Sequence, residues 1–343
     1  MKMPKDKIKI HIRNNHWKEG SLPCDLEGEI NSTITKEVFE NLLNKYPEIK
    51  DKVNYLIDWD DDNFVCSMKD TDILLGWDFP TKGLGEIAPN LKWIHVISAG
   101  VNHLSPFDWI KEGLVLTNSS GVHAKKAGEF GLMSILMLQN HITRIITNQK
   151  NKEFVTLLSK PIIGQKVVVV GTGSLGGSMV KHISLLGAEV IGINRRGGEV
   201  EGCSKVITFD KIDEVLSEAD FLYLAVPETP ETKGLINKKR LDKLKPTCGI
   251  VNIGRQSVMD YDALREKLEK NEIAGAILDV FSKEPIDKNS KLWDTPNLVI
   301  TPHISSDSEG NYIEMVLGIF FKNLKLFIDN KALNNQVDPK LGY

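Results

Sequence analysis

The chain has 343 residues, 41% of them hydrophobic, with 43 Lys and Arg set against 46 Asp and Glu for a formal charge of −3. That length can bury a large core, so two domains are expected, and the near balance of charge argues against a chain built to bind nucleic acid or an anionic membrane. Cys24, Cys66, Cys203 and Cys248 lie far apart with no CxxC or Cys/His ligand spacing, and the N-terminal segment has no apolar run of signal-peptide length; we expect reduced thiols, no bound metal and a cytoplasmic protein.

In chain order, "KIKIHI", "VNYLID", "DILLGW", "WIHVIS" and "LVLTN" read as short strands, with amphipathic segments such as Lys36–Lys45 between them. One long helical pattern then runs from Gly121 to about Asn148. It is apolar on more than one face, as suits a helix buried between domains or subunits. Its longest apolar stretch, Phe130–Leu138, is too short to span a bilayer. After a polar stretch, Asn148–Lys160, the texture changes. "KVVVVG", "EVIGIN", "FLYLAV", "GIVNIG" and "IAGAILDV" are near-continuous apolar runs, the mark of strands covered on both faces in a parallel sheet. Helical segments at Ser174–Leu186, Lys211–Ser217, Lys238–Leu244 and Tyr261–Lys270 separate them, and a last amphipathic helix covers Asp307–Asp329. The alternation predicts an α/β chain of two doubly wound units, with a cleft between domains as the default place for a small-molecule site.

"VVVVGTGSLGGSMV" sets Gly171, Gly173 and Gly176 in GxGxxG spacing directly after a buried strand and at the start of a helix. In that context the glycines, with Ser174 and Leu175 between them, read as a dinucleotide-binding turn. The helix N-terminus would face the pyrophosphate. The next strand ends eighteen residues after Gly176, at Asn194, where a carboxylate would bond the ribose of NAD. Asn194 is followed by Arg195 and Arg196, two planar cations suited to a phosphate. The expectation is NADP(H), with NAD(H) the weaker alternative and a solvated basic turn the bland one.

Three residues further on carry chemistry: Arg255 after "VNIG", Glu284 five residues beyond Asp279, and His303 in "TPHIS". Strand ends of a doubly wound sheet converge on the ligand crevice, so all three can serve one site. Imidazole exchanges protons near neutral pH, a neighbouring carboxylate orients it and favours its charged form, and an arginine that never loses its charge can hold a substrate carboxylate.

"GTGSLG", "LAVPETPETKGLI", "VNIGR", "LDVFSKEP" and "TPHIS", in that order, make the chain resemble the D-isomer-specific 2-hydroxyacid dehydrogenase family over essentially its full length. The resemblance implies a flavodoxin-like substrate domain, residues 1–120 with 307–343, and an inserted Rossmann dinucleotide-binding domain, residues 121–306. It implies catalytic Arg255, Glu284 and His303, an Asp279 near the nicotinamide carboxamide, and Val226, Pro227 and Ile253 beside the cofactor. It also implies a substrate loop whose backbone at Ala99, Gly100 and Val101 cradles a carboxylate, and a homodimer formed through the cofactor domains. Trp77 would face the substrate in a glyoxylate/hydroxypyruvate reductase-like subgroup, or else pack in the core. Gln256 departs from the pattern, since glycine usually follows the arginine. The expected activity is reduction of a 2-keto acid to its D-2-hydroxy acid; a nucleotide-sensing protein of the same fold is the alternative.

Overall fold

The computed structural model describes residues 7–16, 32–306, 310–340 and 342, so the expectation for Cys24 lies outside the described residues. The chain divides into two compact units, Met1–Val122 with Ser308–Tyr343, and His123–Asp307. Each holds one sheet in which every strand pair is parallel.

In the first unit, β1 (Ile8–Asn14), β2 (Val53–Trp59), β3 (Ile73–Gly76), β4 (Trp93–Val96) and β5 (Val115–Asn118) are ordered β2-β1-β3-β4-β5. This is the flavodoxin order, reversing direction beside β1. The helix Tyr312–Ile328 returns from the far end of the sequence to cover one face of this sheet. Its Val316, Leu317, Phe320, Phe321 and Leu324 recur at helical spacing and are fully buried against Ile10, Ile12, Leu75 and Trp93. Phe320 stacks on Trp93 with ring centroids 5.0 Å apart.

Beneath the exit of β4 lies a buried polar cluster. Trp93 Nε1 donates to Thr117 Oγ1 (2.8 Å), and Thr117 Oγ1 and Ser119 Oγ lie 2.7 and 3.2 Å from the two ring nitrogens of His95. Burial holds the His95 imidazole far below its usual range, at about 3, and burial likewise lowers His11 to about 4. Both rings are therefore neutral in the folded chain at neutral pH. Their contribution to stability is intact above the unfolded histidine value, near 6.5, and is lost as pH falls towards about 4 and then about 3. Urea midpoints should drop across that window, and His95→Gln, which has no proton to take up, should flatten the drop. An unchanged slope in that variant would contradict the assignment.

In the second unit, β6 (Lys166–Val170), β7 (Glu189–Ile193), β8 (Lys205–Ile207), β9 (Phe221–Leu224), β10 (Gly249–Asn252), β11 (Gly275–Leu278) and β12 (Leu298–Ile300) are ordered β12-β11-β10-β9-β6-β7-β8. The winding reverses between β6 and β9, where ligands bind at the carboxyl ends of such sheets. β6, β9, β10 and β11 are buried along almost their whole length, which is why they read as unbroken apolar runs.

Three expectations change. The single helix from Gly121 to Asn148 is two, Ala124–Gln139 and Ile142–Lys150. Asn140 turns its side-chain amide back onto the Leu136 carbonyl (2.9 Å), and His141 takes a left-handed conformation at φ +56°. Apolar spacing runs on across that break, so periodicity does not reveal it. The first helix is also not buried all round: Phe130, Ile135 and Leu138 pack into the core beneath the sheet, whereas Met133 on another face is exposed. Finally, Lys211–Ser217 forms two 3₁₀ turns, Phe209–Glu214 and Leu216–Glu218, and β8 has only three residues, too few to leave a period.

Candidate active site

The glycine turn follows β6 directly. Gly171 sits at φ +95°, and a β-carbon there would lie 2.7 Å from the Ala225 carbonyl oxygen; one on Gly176 would lie 1.8 Å from the Gly171 oxygen. Only glycine lets β6, the turn and the helix Ser174–Leu185 approach this closely. Gly173 differs. It caps that helix without a side-chain bond, and nothing lies within 4 Å of where its β-carbon would be. The turn thus combines a tight inner wall with an open outer face at a helix N-terminus, which fits a dinucleotide pyrophosphate. Ser174 is exposed and Leu175 half-buried at the start of the helix, while Val226 and Ile253 are buried and Pro227 exposed at the exits of β9 and β10.

At the end of β7, Asn194 organises its own turn. Its Oδ1 accepts the amides of Arg196 (3.0 Å) and Gly197 (2.7 Å), while Nδ2 donates to Thr172 Oγ1 (2.9 Å) on the glycine turn. Both arginine side chains extend into solvent. Arg195 Nε lies 3.6 Å from a Glu231 carboxylate oxygen on the loop after Pro227, an exposed pair of the kind that contributes little to stability. Glu231 went unnoticed in the sequence, where it is one charge within "PETPET".

The loops after β10, β11 and β12 carry the candidate acid–base residues. His303 Nδ1 lies 2.7 Å from Glu284 Oε2, and the other oxygen of Glu284 accepts the Phe281 amide at 2.7 Å. The carboxylate is therefore oriented by the backbone and in turn orients the ring through Nδ1. His303 itself has φ +55°, a left-handed backbone that non-glycine residues rarely adopt. What holds it there is Asp279, fully buried at the end of β11. Its Oδ1 accepts the Thr301 hydroxyl (2.6 Å) and the Ile304 amide (3.0 Å), and its Oδ2 accepts the Ser305 amide (3.0 Å). Thr301 and these two amides were not singled out from the sequence; their signal was only the threonine and serine flanking "PHI".

Arg255 is exposed at the exit of β10, its Nη1 donating to the Gly254 carbonyl at 2.7 Å. Among the described residues it makes no ion pair. Behind it, Asn252 donates to the Arg255 carbonyl (3.1 Å) and to the Tyr261 hydroxyl (3.0 Å), and that hydroxyl donates to Val280 O (3.0 Å). This buried set ties the β10 exit to the β11 exit.

The remaining expected residues belong to the first unit. Ala99, Gly100 and Val101 follow β4, with Gly100 exposed and Val101 fully buried. Ser98 Oγ donates to the Gly100 carbonyl at 2.5 Å and tightens this turn. Trp77 is half-buried at the exit of β3, packed against the core, and its ring stacks on His103 with centroids 5.5 Å apart. No helix among the described residues is long and apolar enough to cross a membrane.

A family model described as the NAD-binding domain of D-isomer specific 2-hydroxyacid dehydrogenases matches residues 132–305. A glyoxylate reductase of Thermofilum pendens is 34% identical over 229 residues, 64% of this chain and 67% of that protein. Glyoxylate/hydroxypyruvate reductase B of Pectobacterium carotovorum is 29% identical over 261 residues, 74% of this chain and 81% of its own. Among solved structures, the NADPH-dependent glyoxylate/hydroxypyruvate reductase from Sinorhizobium meliloti, in complex with NADP and sulfate, superposes with a TM-score of 0.72 at 23% identity, covering 98% of this chain and 100% of that one. At this identity the likeness speaks for the fold.

Proposed function

The chain belongs to the D-isomer specific 2-hydroxyacid dehydrogenase family, and on that premise we propose that it reduces small 2-keto acids with NADPH, glyoxylate and hydroxypyruvate foremost. That it is a nicotinamide-dependent oxidoreductase of 2-hydroxyacid and 2-keto acid pairs follows from the family itself. The observation that carries the mechanism is the Glu284–His303 pair at 2.7 Å, held in the same unit as the glycine turn.

The glycine turn at residues 171–176 would hold the pyrophosphate of a nicotinamide dinucleotide, whose chemistry when bound would be hydride donation to C2 of the keto acid. The chain's own residues handle the proton and the charge. His303, with Nδ1 engaged by Glu284, presents Nε2 and gives its proton to the carbonyl oxygen. Glu284 stabilises the positive ring before transfer and keeps its orientation. Arg255 holds the substrate carboxylate and draws electron density from the ketone. In the first unit, the family resemblance alone supports the backbone of Ala99, Gly100 and Val101 as a carboxylate binder and Trp77 as a substrate-facing side chain. Asp279 keeps the His303 loop in place. The preference for NADPH rests on Asn194 where a carboxylate would repel a 2′-phosphate, and on Arg195 and Arg196 next to it.

Turnover of glyoxylate, hydroxypyruvate, pyruvate and an aromatic keto acid should be followed with NADPH and NADH in parallel. The expected result is fastest reduction of the two smallest polar keto acids with NADPH. Preferred use of the aromatic substrate, or of NADH, would overturn that part of the assignment.

We infer a homodimer as well. Phe154, Leu158 and Leu185 of the second unit are 103%, 87% and 84% exposed, a set of large apolar side chains that a second copy would cover. Light scattering at micromolar concentration should give twice the monomer mass, and Phe154→Asp with Leu158→Asp should halve it. A monomeric wild type would refute the inference.

A further inference from the structure

Gln256 follows Arg255 and opens the 3₁₀ turn Gln256–Val258 at the exit of β10. β10 and β11 are neighbours, with Asn252 opposite Leu278, so their exit loops leave the sheet side by side. Between them, among the described residues, the Gln256 side chain makes one bond: its Oε1 accepts the Ser282 amide at 2.5 Å. The preceding amide, that of Phe281, donates to Glu284 Oε1, and Glu284 Oε2 meets His303 Nδ1, both at 2.7 Å. Among the described residues no other side chain bonds an amide of residues 281–284. The turn carrying Glu284 is therefore fixed by two acceptors, and one of them is Glu284 itself.

We propose that Gln256 is a positioning residue for the proton relay, holding the 281–284 turn against the Arg255 loop so that Glu284 keeps the His303 ring in place. Glycine, the residue that the resemblance leads one to expect, has no atom that could reach Ser282. The proposal rests on the role given above to Glu284 and His303. Ser282 and Glu284 both lie at the surface, so releasing the amide lets water replace the bond, and the fold survives while the orientation of the carboxylate loosens. Misplacement of a supporting group by a fraction of an ångström costs rate, not affinity.

The test compares wild type, Gln256→Ala and Gln256→Glu in steady-state turnover, NADPH binding and thermal unfolding. In Gln256→Ala, kcat should fall about tenfold, with KM for the keto acid, the NADPH Kd and the unfolding midpoint near wild type. Gln256→Glu, which keeps an acceptor at the same reach, should recover most of the rate. In a Glu284→Ala background, Gln256→Ala should cost nothing further, because its effect passes through Glu284. A Gln256→Ala enzyme with wild-type kcat, a loss confined to KM, or an equal further loss in the Glu284→Ala background would each overturn the proposal alone. A wild type that turns over no 2-keto acid would overturn the functional reading, and this proposal with it.

Discussion

His303→Ala should lower kcat for keto acid reduction by about two to four orders of magnitude, the usual worth of a positioned general acid. KM and the NADPH Kd should change little. The cofactor turn, residues 171–176, lies after β6, whereas His303 lies after β12 at the far edge of the same sheet, so truncating the ring leaves the turn intact. The size of the effect follows from what remains. Water can deliver a proton, but neither Glu284, whose oxygens face the Phe281 amide and the His303 ring, nor Arg255, which cannot give up its proton, replaces the imidazole. Glu284→Gln should cause a smaller fall, since an amide still orients the ring without its charge. Stopped-flow single turnovers would separate the chemical step from product release. Near-normal turnover in His303→Ala would remove the residue from the mechanism.

Replacing Arg195 and Arg196 together with alanine should weaken NADPH binding by about tenfold to a few hundredfold, at roughly 1.5–3 kcal/mol for each charge-assisted contact and less than additively if both meet one phosphate. NADH, which has no 2′-phosphate, should bind almost as before. Breaking the Arg195–Glu231 contact to engage the cofactor is a small cost, because the pair is 3.6 Å apart and open to solvent. Asn194→Asp should go further and reverse the preference. An aspartate can still accept the Arg196 and Gly197 amides and can accept from Thr172 where Asn194 now donates, so the turn is kept while repulsion against the phosphate is added. Titration of both cofactors by nucleotide fluorescence decides the matter. Equal losses for NADPH and NADH in the double variant would leave the arginines as a solvated turn.

How much of this was legible before the structure differs by element. The apolar runs from "KVVVVG" to "IAGAILDV" announce a parallel sheet, because a strand covered on both faces has no polar side to show. The pairing order is invisible in them, yet it is the reversal beside β6 that locates the crevice. The proposed acid–base residues stood out by type and by position after strands. The side chains that hold them did not: Gln256 and Thr301 are ordinary polar residues whose partners Ser282 and Asp279 lie far away in sequence, and no local period links them. Gln256 drew notice only as a departure from a resembled pattern, and the bond it makes to Ser282 could not be read from that. The helix break at His141 escaped for the opposite reason, since its apolar spacing is correct on both sides.

The backbone of His303 has one last implication. At φ +55° an imidazole-bearing residue stands about 1 kcal/mol or more above what glycine would cost there, and the buried Asp279 clamp offsets the difference. Thermal robustness and chemical competence thus rank the same position oppositely. On the role proposed for His303, a variant library sorted only for heat resistance would enrich glycine or asparagine at position 303 and lose turnover while improving the protein, so a stabilising campaign on this chain has to score turnover in the same round.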